Sequence, residues 1–264
     1  MTRLILFLMC TACALQAGAQ SPLDMPLPSQ LAFSQEEINA HARTIWAEKL
    51  RQEADRGLLG CMRRCEQIER VFSTLKSAAD TLAETHEMQW QLAVGTNPRE
   101  GAWALSGGLV YISEAFIDQF EMSDSALAFV LGHEMGHALL RHENQVMTVA
   151  NALLPRGMTR SVENIYAQFD FDLGLALKLQ PEFQADEFEA DRAGMMIACV
   201  AGYDGNDMLG FLEQLAAQPD DGANSVLNTH PDAAERLARA RAVKPSAQRL
   251  RARFAAGDRG PRGG

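Results

Sequence analysis

His133-Glu134-Met135-Gly136-His137 gathers, within five residues, the side chains that metal-assisted hydrolysis needs. At 3.6 residues per turn the two histidines stand about 40° apart on one helix face, one turn removed. Both imidazoles can therefore reach one ion. Glu134 lies roughly 100° round from His133, beside that ion without facing it, where a general base for water belongs. The bland alternative is a surface helix that happens to carry two of the chain's six histidines. The flanks favour burial instead. Ser123-Asp124-Ser125 offers an N-cap, and Ala126 to Leu131 is apolar almost all round.

A catalytic zinc takes three protein ligands and leaves a fourth position to water, so a third ligand must come from elsewhere in the chain. The stretch Ala185 to Gly194 is the best source. On a helix Glu187 and Asp191 share a face, with the small residues Ala190 and Gly194 near it. Glu187 is the expected third ligand. Asp191, one turn on, can accept the free N–H of a ligating imidazole and fix its tautomer. Glu189 points about 200° away from Glu187 and is a weaker choice; Asp186 and Glu182 are weaker still. Alone, this stretch reads as an acidic solvated face paired with Arg192; beside the first motif the balance reverses. His142, about 140° round from His137, is excluded as a ligand from that turn. His41 and His86 have no partners in sequence and read as structural or exposed.

These motifs resemble the M48 family of zinc metallopeptidases, over roughly residues 65–240. The family pairs H-E-x-x-H with a downstream E-x-x-x-D, here Glu187 to Asp191. The likeness extends to Ala104–Ile112 before the active helix and to His230-Pro231 after it. It implies one Zn2+ per chain, held by His133, His137 and Glu187, with Glu134 catalytic. His230 is expected near the ion, stabilising an oxyanion or holding the enzyme latent, with Arg236 orienting a carbonyl or a carboxylate. The competing reading of that pair is a helix-opening His-Pro and a solvated arginine. No transmembrane helices flank the motifs, so the chain resembles the soluble exported branch. That implies endopeptidase action on misfolded or misassembled cell-envelope proteins. An envelope chaperone or assembly factor with little proteolysis is the alternative.

The elements that must position these groups give an α+β expectation: a mainly α, gluzincin-like zincin with a small sheet beside the active helix. Ser34 to Glu37 starts a helix, and a second runs through about 61–84. Residues 88–94 alternate as a strand. Ala102–Leu105 and Leu109–Ile112 flank Ser106-Gly107-Gly108 as a hairpin. The segment Leu109–Ser113 is the expected edge strand for an extended peptide, against the plain alternative of a buried core strand. The active helix should span about 124–150. Helices follow at 161–180 and, opened by Pro181, at 182–200, then from Met208 and from Asp232. A polar loop at 218–229 and a disordered tail at 257–264 complete the expectation.

The first 19 residues read as a signal peptide, with Arg3, the apolar run Leu4–Met9 and Ala17-Gly18-Ala19. A periplasmic or otherwise exported protein follows. A lipoprotein anchored at Cys13 is the alternative, although Cys10 stands where a lipid-attachment signal normally has an aliphatic residue. Residues 20–60 then form an arm and helix, 61–242 the M48-like domain and 243–264 a tail. A net charge of -10, without a basic stripe, argues against nucleic acid. No apolar run is long enough to span a bilayer, which leaves peripheral or lipid-anchored association. Cys61 and Cys65 fit either a local disulfide at a helix end or two buried thiols.

Overall fold

Glycine positions decide how closely two helices can approach, and here they set the whole molecule. A computed structural model describes residues 31–83, 88–155, 160–218 and 231–256. Its active helix, α4 (Asp124–Leu139), is capped by Ser123, whose hydroxyl accepts the Ala126 N–H at 3.2 Å. Against it lies α7 (Leu173–Val200), the longest helix described. A Cβ added at Gly194 would sit 2.6 Å from the His133 nitrogen, and one at Gly132 3.0 Å from the Gly194 carbonyl. At Gly136 it would meet Ala193 Cβ at 3.0 Å. The two backbones touch where larger side chains would hold them apart.

Around this pair the rest of the chain packs. The helix α1 (Gln35–Asp55) opens with a reciprocal capping box between Ser34 and Glu37. It covers one face of the sheet, placing Ala42 and Trp46 on Leu109 and Tyr111. Then α2 (Cys65–Leu82) buries Ile68, Val71, Phe72, Leu75 and Leu82 in the main core. Three strands follow, β1 (Gln91–Gly95), β2 (Ala102–Leu105) and β3 (Leu109–Ser113), then the short α3 (Glu114–Gln119), which has no counterpart in the sequence expectation. After α4 come α5 (His142–Leu153) and α6 (Val162–Phe171). After α7 come α8 (Gly205–Ala216) and α9 (Ala233–Ala255). The result is the mainly helical α+β plan expected. No helix among the described residues is long and apolar enough to cross a membrane.

The sheet corrects one expectation. Its order is β1-β3-β2, with β1 parallel and β2 antiparallel to β3. Leu109–Ser113 is therefore the buried central strand and cannot offer an edge. Its hairpin partner β2 is the edge strand instead. The outer side of β1 is covered by residues 58–60, through Gly60 N–H to Val94 O and Thr96 N–H to Leu58 O, both 2.8 Å. Gly107 and Gly108, both at positive φ, make the tight β2–β3 turn.

Helix boundaries differ in four places. The single helix expected at 161–180 is interrupted at Asp172, which ends α6 at Phe171 and caps α7 from Leu173 by accepting the Leu175 N–H at 3.0 Å. The active helix does not run to 150. It stops at Leu139, Arg141 adopts a left-handed φ of 57°, and α5 leaves in a new direction. Pro181 does not split α7: the helix passes through it, with Leu177 and Pro181 both exposed, so the missing hydrogen bond falls on the solvent side. The last helix continues past residue 242, because Ala247 and Leu250 are buried in the main core. Residues 1–30, which include the expected signal peptide and Cys13, as well as His86, residues 219–229 of the expected polar loop and the expected tail at 257–264, lie outside the described residues.

Cys61 and Cys65 form a disulfide, Cα 5.6 Å apart, across the turn that precedes α2. That turn is gathered on buried Glu114, whose carboxylate accepts the N–H groups of Met62, Arg63 and Arg64 at 2.5–3.0 Å. Burial opposes its charge, but these three donors outweigh burial and hold its pKa below the usual 4.5. A depressed folded-state pKa makes the contribution whole above about pH 4.5 and lost as pH falls through the lower folded value. The gap in melting temperature between wild type and Glu114→Gln should therefore be wide at neutral pH and narrow in acid. A gap constant with pH would contradict the assignment. For the helix contact, Gly194→Ala should cost about 1–3 kcal/mol in thermal melts. Gly210→Ala, where nothing lies within 4 Å of the added carbon, should stabilise by up to about 1 kcal/mol.

Candidate active site

Because α4 is apolar nearly all round, its polar side chains at 133, 134 and 137 are drawn inward with it. His133 and Glu134 are buried, and the Nε2 atoms of His133 and His137 approach to 3.1 Å. From α7, the Glu187 carboxylate faces both nitrogens, Oε2 at 3.4 Å from His133 Nε2 and Oε1 at 3.4 Å from His137 Nε2. The three ligand atoms all lie within 4.8 Å of one another. A tetrahedral ion with bonds of about 2.0–2.1 Å has ligand–ligand edges of roughly 3.3–3.4 Å, close to the 3.1 Å between the two imidazole nitrogens and the 3.4 Å from each to the nearest Glu187 oxygen.

The far nitrogens are held from behind by two different devices. His133 Nδ1 meets Asp191 Oδ1 at 2.9 Å. Arg236, from α9, grips Asp191 with two hydrogen bonds, 2.9 Å from Nε and 2.7 Å from Nη2, and its Nη1 lies 3.6 Å from Glu187. Arg236 is expected from the sequence to orient a carbonyl or a carboxylate. It is buried against two carboxylates, Asp191 and Glu187, in keeping with a carboxylate-orienting role, and it does not line the cavity beside His137. Burial opposes the negative charge of Asp191, yet Arg236 and His133 together keep its pKa below the usual value.

His137 is backed by His142, Nδ1 to Nδ1 at 2.9 Å. The left-handed turn at Arg141 brings His142 round to this contact, while His142 stays out of the group that could hold an ion, as expected. Burial drives its pKa down to about 4, leaving a neutral ring that can accept from His137 Nδ1. Its own Nε2 faces Glu189 at 3.5 Å and Asp186 at 3.9 Å. Two of the three weaker ligand choices, Glu189 and Asp186, thus sit beside His142, and none of the three belongs to the group that could hold an ion. Asp186, buried and near Glu189, Glu182 and Glu187, is pushed up to about 8. His230 lies outside the described residues.

Beside His137 opens a cavity of about 390 Å³, with Glu134 in its wall and β2 along one side. The sheet edge on that side has no strand against it among the described residues. Two helices thus bring three donors together, an acid stands beside them, and a strand edge borders the approach. Over residues 62–244 this sequence matches the description of peptidase family M48.

The chain belongs to that family. M48 relatives include a mitochondrial metalloendopeptidase OMA1 of Arabidopsis thaliana, 26% identical over 155 residues. Metalloprotease YcaL of Escherichia coli (strain K12) is 27% identical over 161, and a beta-barrel assembly-enhancing protease of Yersinia pestis 31% over 158. These alignments cover 55–59% of this chain and 30–59% of the relatives, so the chain spans well under two thirds of their length. M48 metalloproteases use a metal, and the donors here fit one. Burial alone would lower the His133 pKa, but Glu187 and Asp191 outweigh it and raise it to about 10. The two carboxylates thus call for positive charge at the centre, which a divalent cation would supply.

If the Asp191 contact fixes the His133 ring, Asp191→Asn should weaken zinc binding by about 10- to 100-fold in competition with a chromophoric chelator. Unchanged affinity would show that the contact is dispensable.

Proposed function

We propose that this chain is a zinc-dependent endopeptidase. The observation that carries the reading is the convergence of His133, His137 and Glu187 within 4.8 Å, beside Glu134 and an edge strand. Zinc held by those three ligands would lower the pKa of water towards about 7 and polarise a scissile carbonyl. Glu134 takes the proton from the attacking water and returns it to the leaving nitrogen. The free edge of β2 pairs with an extended substrate backbone, which gives affinity with little sequence demand. Asp191 and His142 keep the two ligating imidazoles in the tautomer that presents Nε2, and Arg236 holds Asp191 in place.

The substrates we assign are misfolded or misassembled envelope polypeptides, met after export directed by residues 1–19. Support comes from the export-like N-terminal sequence and from the relative named a beta-barrel assembly-enhancing protease. The same name favours a second reading, an assembly factor that binds clients with little cleavage. Glu134→Gln separates the two. With zinc retained, the variant should lose cleavage of unfolded casein by about 10²- to 10⁴-fold. A variant that cleaves at the wild-type rate would contradict the proteolytic role of Glu134. A wild type that cleaves nothing yet still suppresses aggregation would favour the assembly factor.

A further inference from the structure

We infer that the cavity beside His137 is a specificity subsite that admits a large apolar side chain, of the Leu, Met or Phe class, from a substrate residue flanking the scissile bond. The inference rests on the proteolytic reading and names what that site selects.

The lining decides the chemistry. Val146 and Met147 of α5 are buried and form one apolar wall. Tyr166 and Phe169 of α6, their rings edge to face at 5.7 Å, join Phe183 of α7 and Trp103 of β2 around the opening. The volume, about 390 Å³, is within the range of about 300–1,000 Å³ usual for small-ligand pockets. It touches His137 and Glu134 but not His133, so the selected residue lies on the His137 side of the bond.

Carboxylates in the lining could instead have recruited lysine or arginine, and their contacts argue against it. Glu143 accepts the Ser106 N–H at 2.7 Å through one oxygen and the Tyr166 hydroxyl through the other. Its charge is tied into the frame of the pocket, joining the end of β2 to α6. Asp186 lies 3.9 Å from His142 Nε2 at the His142 side of the lining, and Glu134 and Glu187 are taken up by the site proposed for the ion. A cationic side chain entering here would lose hydration and find Glu143 already engaged by two donors, whereas an apolar one would lose nothing by leaving water. A peptide extended along β2 points alternate side chains to opposite faces, so the demand falls on one residue and leaves its neighbours open. Unfolded chains expose apolar side chains that folded chains bury. A protease with this subsite would read the folding state of its client without needing a sequence motif.

Internally quenched peptides differing only at the residues flanking one scissile bond test this on the zinc-loaded full chain, with products mapped by mass spectrometry. At the selected position, kcat/KM for Leu, Phe and Met should exceed that for Ala at least about tenfold and that for Lys or Asp by more. Phe183→Ala should reduce the Leu-to-Ala ratio by about tenfold, whatever the absolute rate; Phe169→Ala serves if that variant does not fold. Cleavage with no preference, or with Lys or Asp preferred, would overturn the subsite while leaving the peptidase reading intact. Failure to cleave any peptide, or unfolded casein, would overturn the peptidase reading and the subsite with it.

Discussion

The close contact of α4 with α7 is the constraint on which the site depends. Three glycines stand where the backbones meet, Gly132 and Gly136 on one helix and Gly194 on the other. The reach of a carboxylate is short. Glu187 arrives 3.4 Å from both imidazole nitrogens only because nothing larger than alanine separates the helices at Ala190 and Ala193. The apolar surface of α4 drives the helix inside, and its polar residues go with it. Burying histidines and carboxylates without partners would be costly. The network around them offsets much of that cost, because Asp191 and Glu187 both face Arg236 and His133 faces both carboxylates.

The two histidines are fixed asymmetrically. His133 is held by a carboxylate that is itself gripped by Arg236, so its environment is ionic and rigid. His137 leans on a neutral imidazole, with carboxylates 3.5–3.9 Å beyond it. His137 is also the more exposed of the two and borders the cavity. The stiffer support therefore lies on the closed side of the site and the softer one on the side that substrate would approach.

Much of the site was legible because helical periodicity converts spacing into direction. His133, His137, Glu187 and Asp191 could be placed on faces from sequence, and Ala190 and Gly194 signalled a close approach. The contacts that escaped depend on breaks in that periodicity. An arginine in a left-handed conformation carries no glycine or asparagine signal, so the turn at Arg141 and the return of His142 to His137 were hidden. Pro181 read as a boundary because its lost hydrogen bond matters in a buried helix, whereas here that side faces solvent. Strand order was also beyond local patterning. The pairing of β1 with β3 is non-local, and the chain passes through β2 at the opposite edge before returning to the centre. Leu109–Ser113 is apolar at four of five positions, which a fully buried central strand explains better than an edge.

Anomalous diffraction at the zinc edge, from crystals of metal-loaded protein, tests the central claim most directly. The account predicts one strong peak within bonding distance of His133 Nε2, His137 Nε2 and a Glu187 carboxylate oxygen. No peak there, or an ion bound without Glu187, would contradict it.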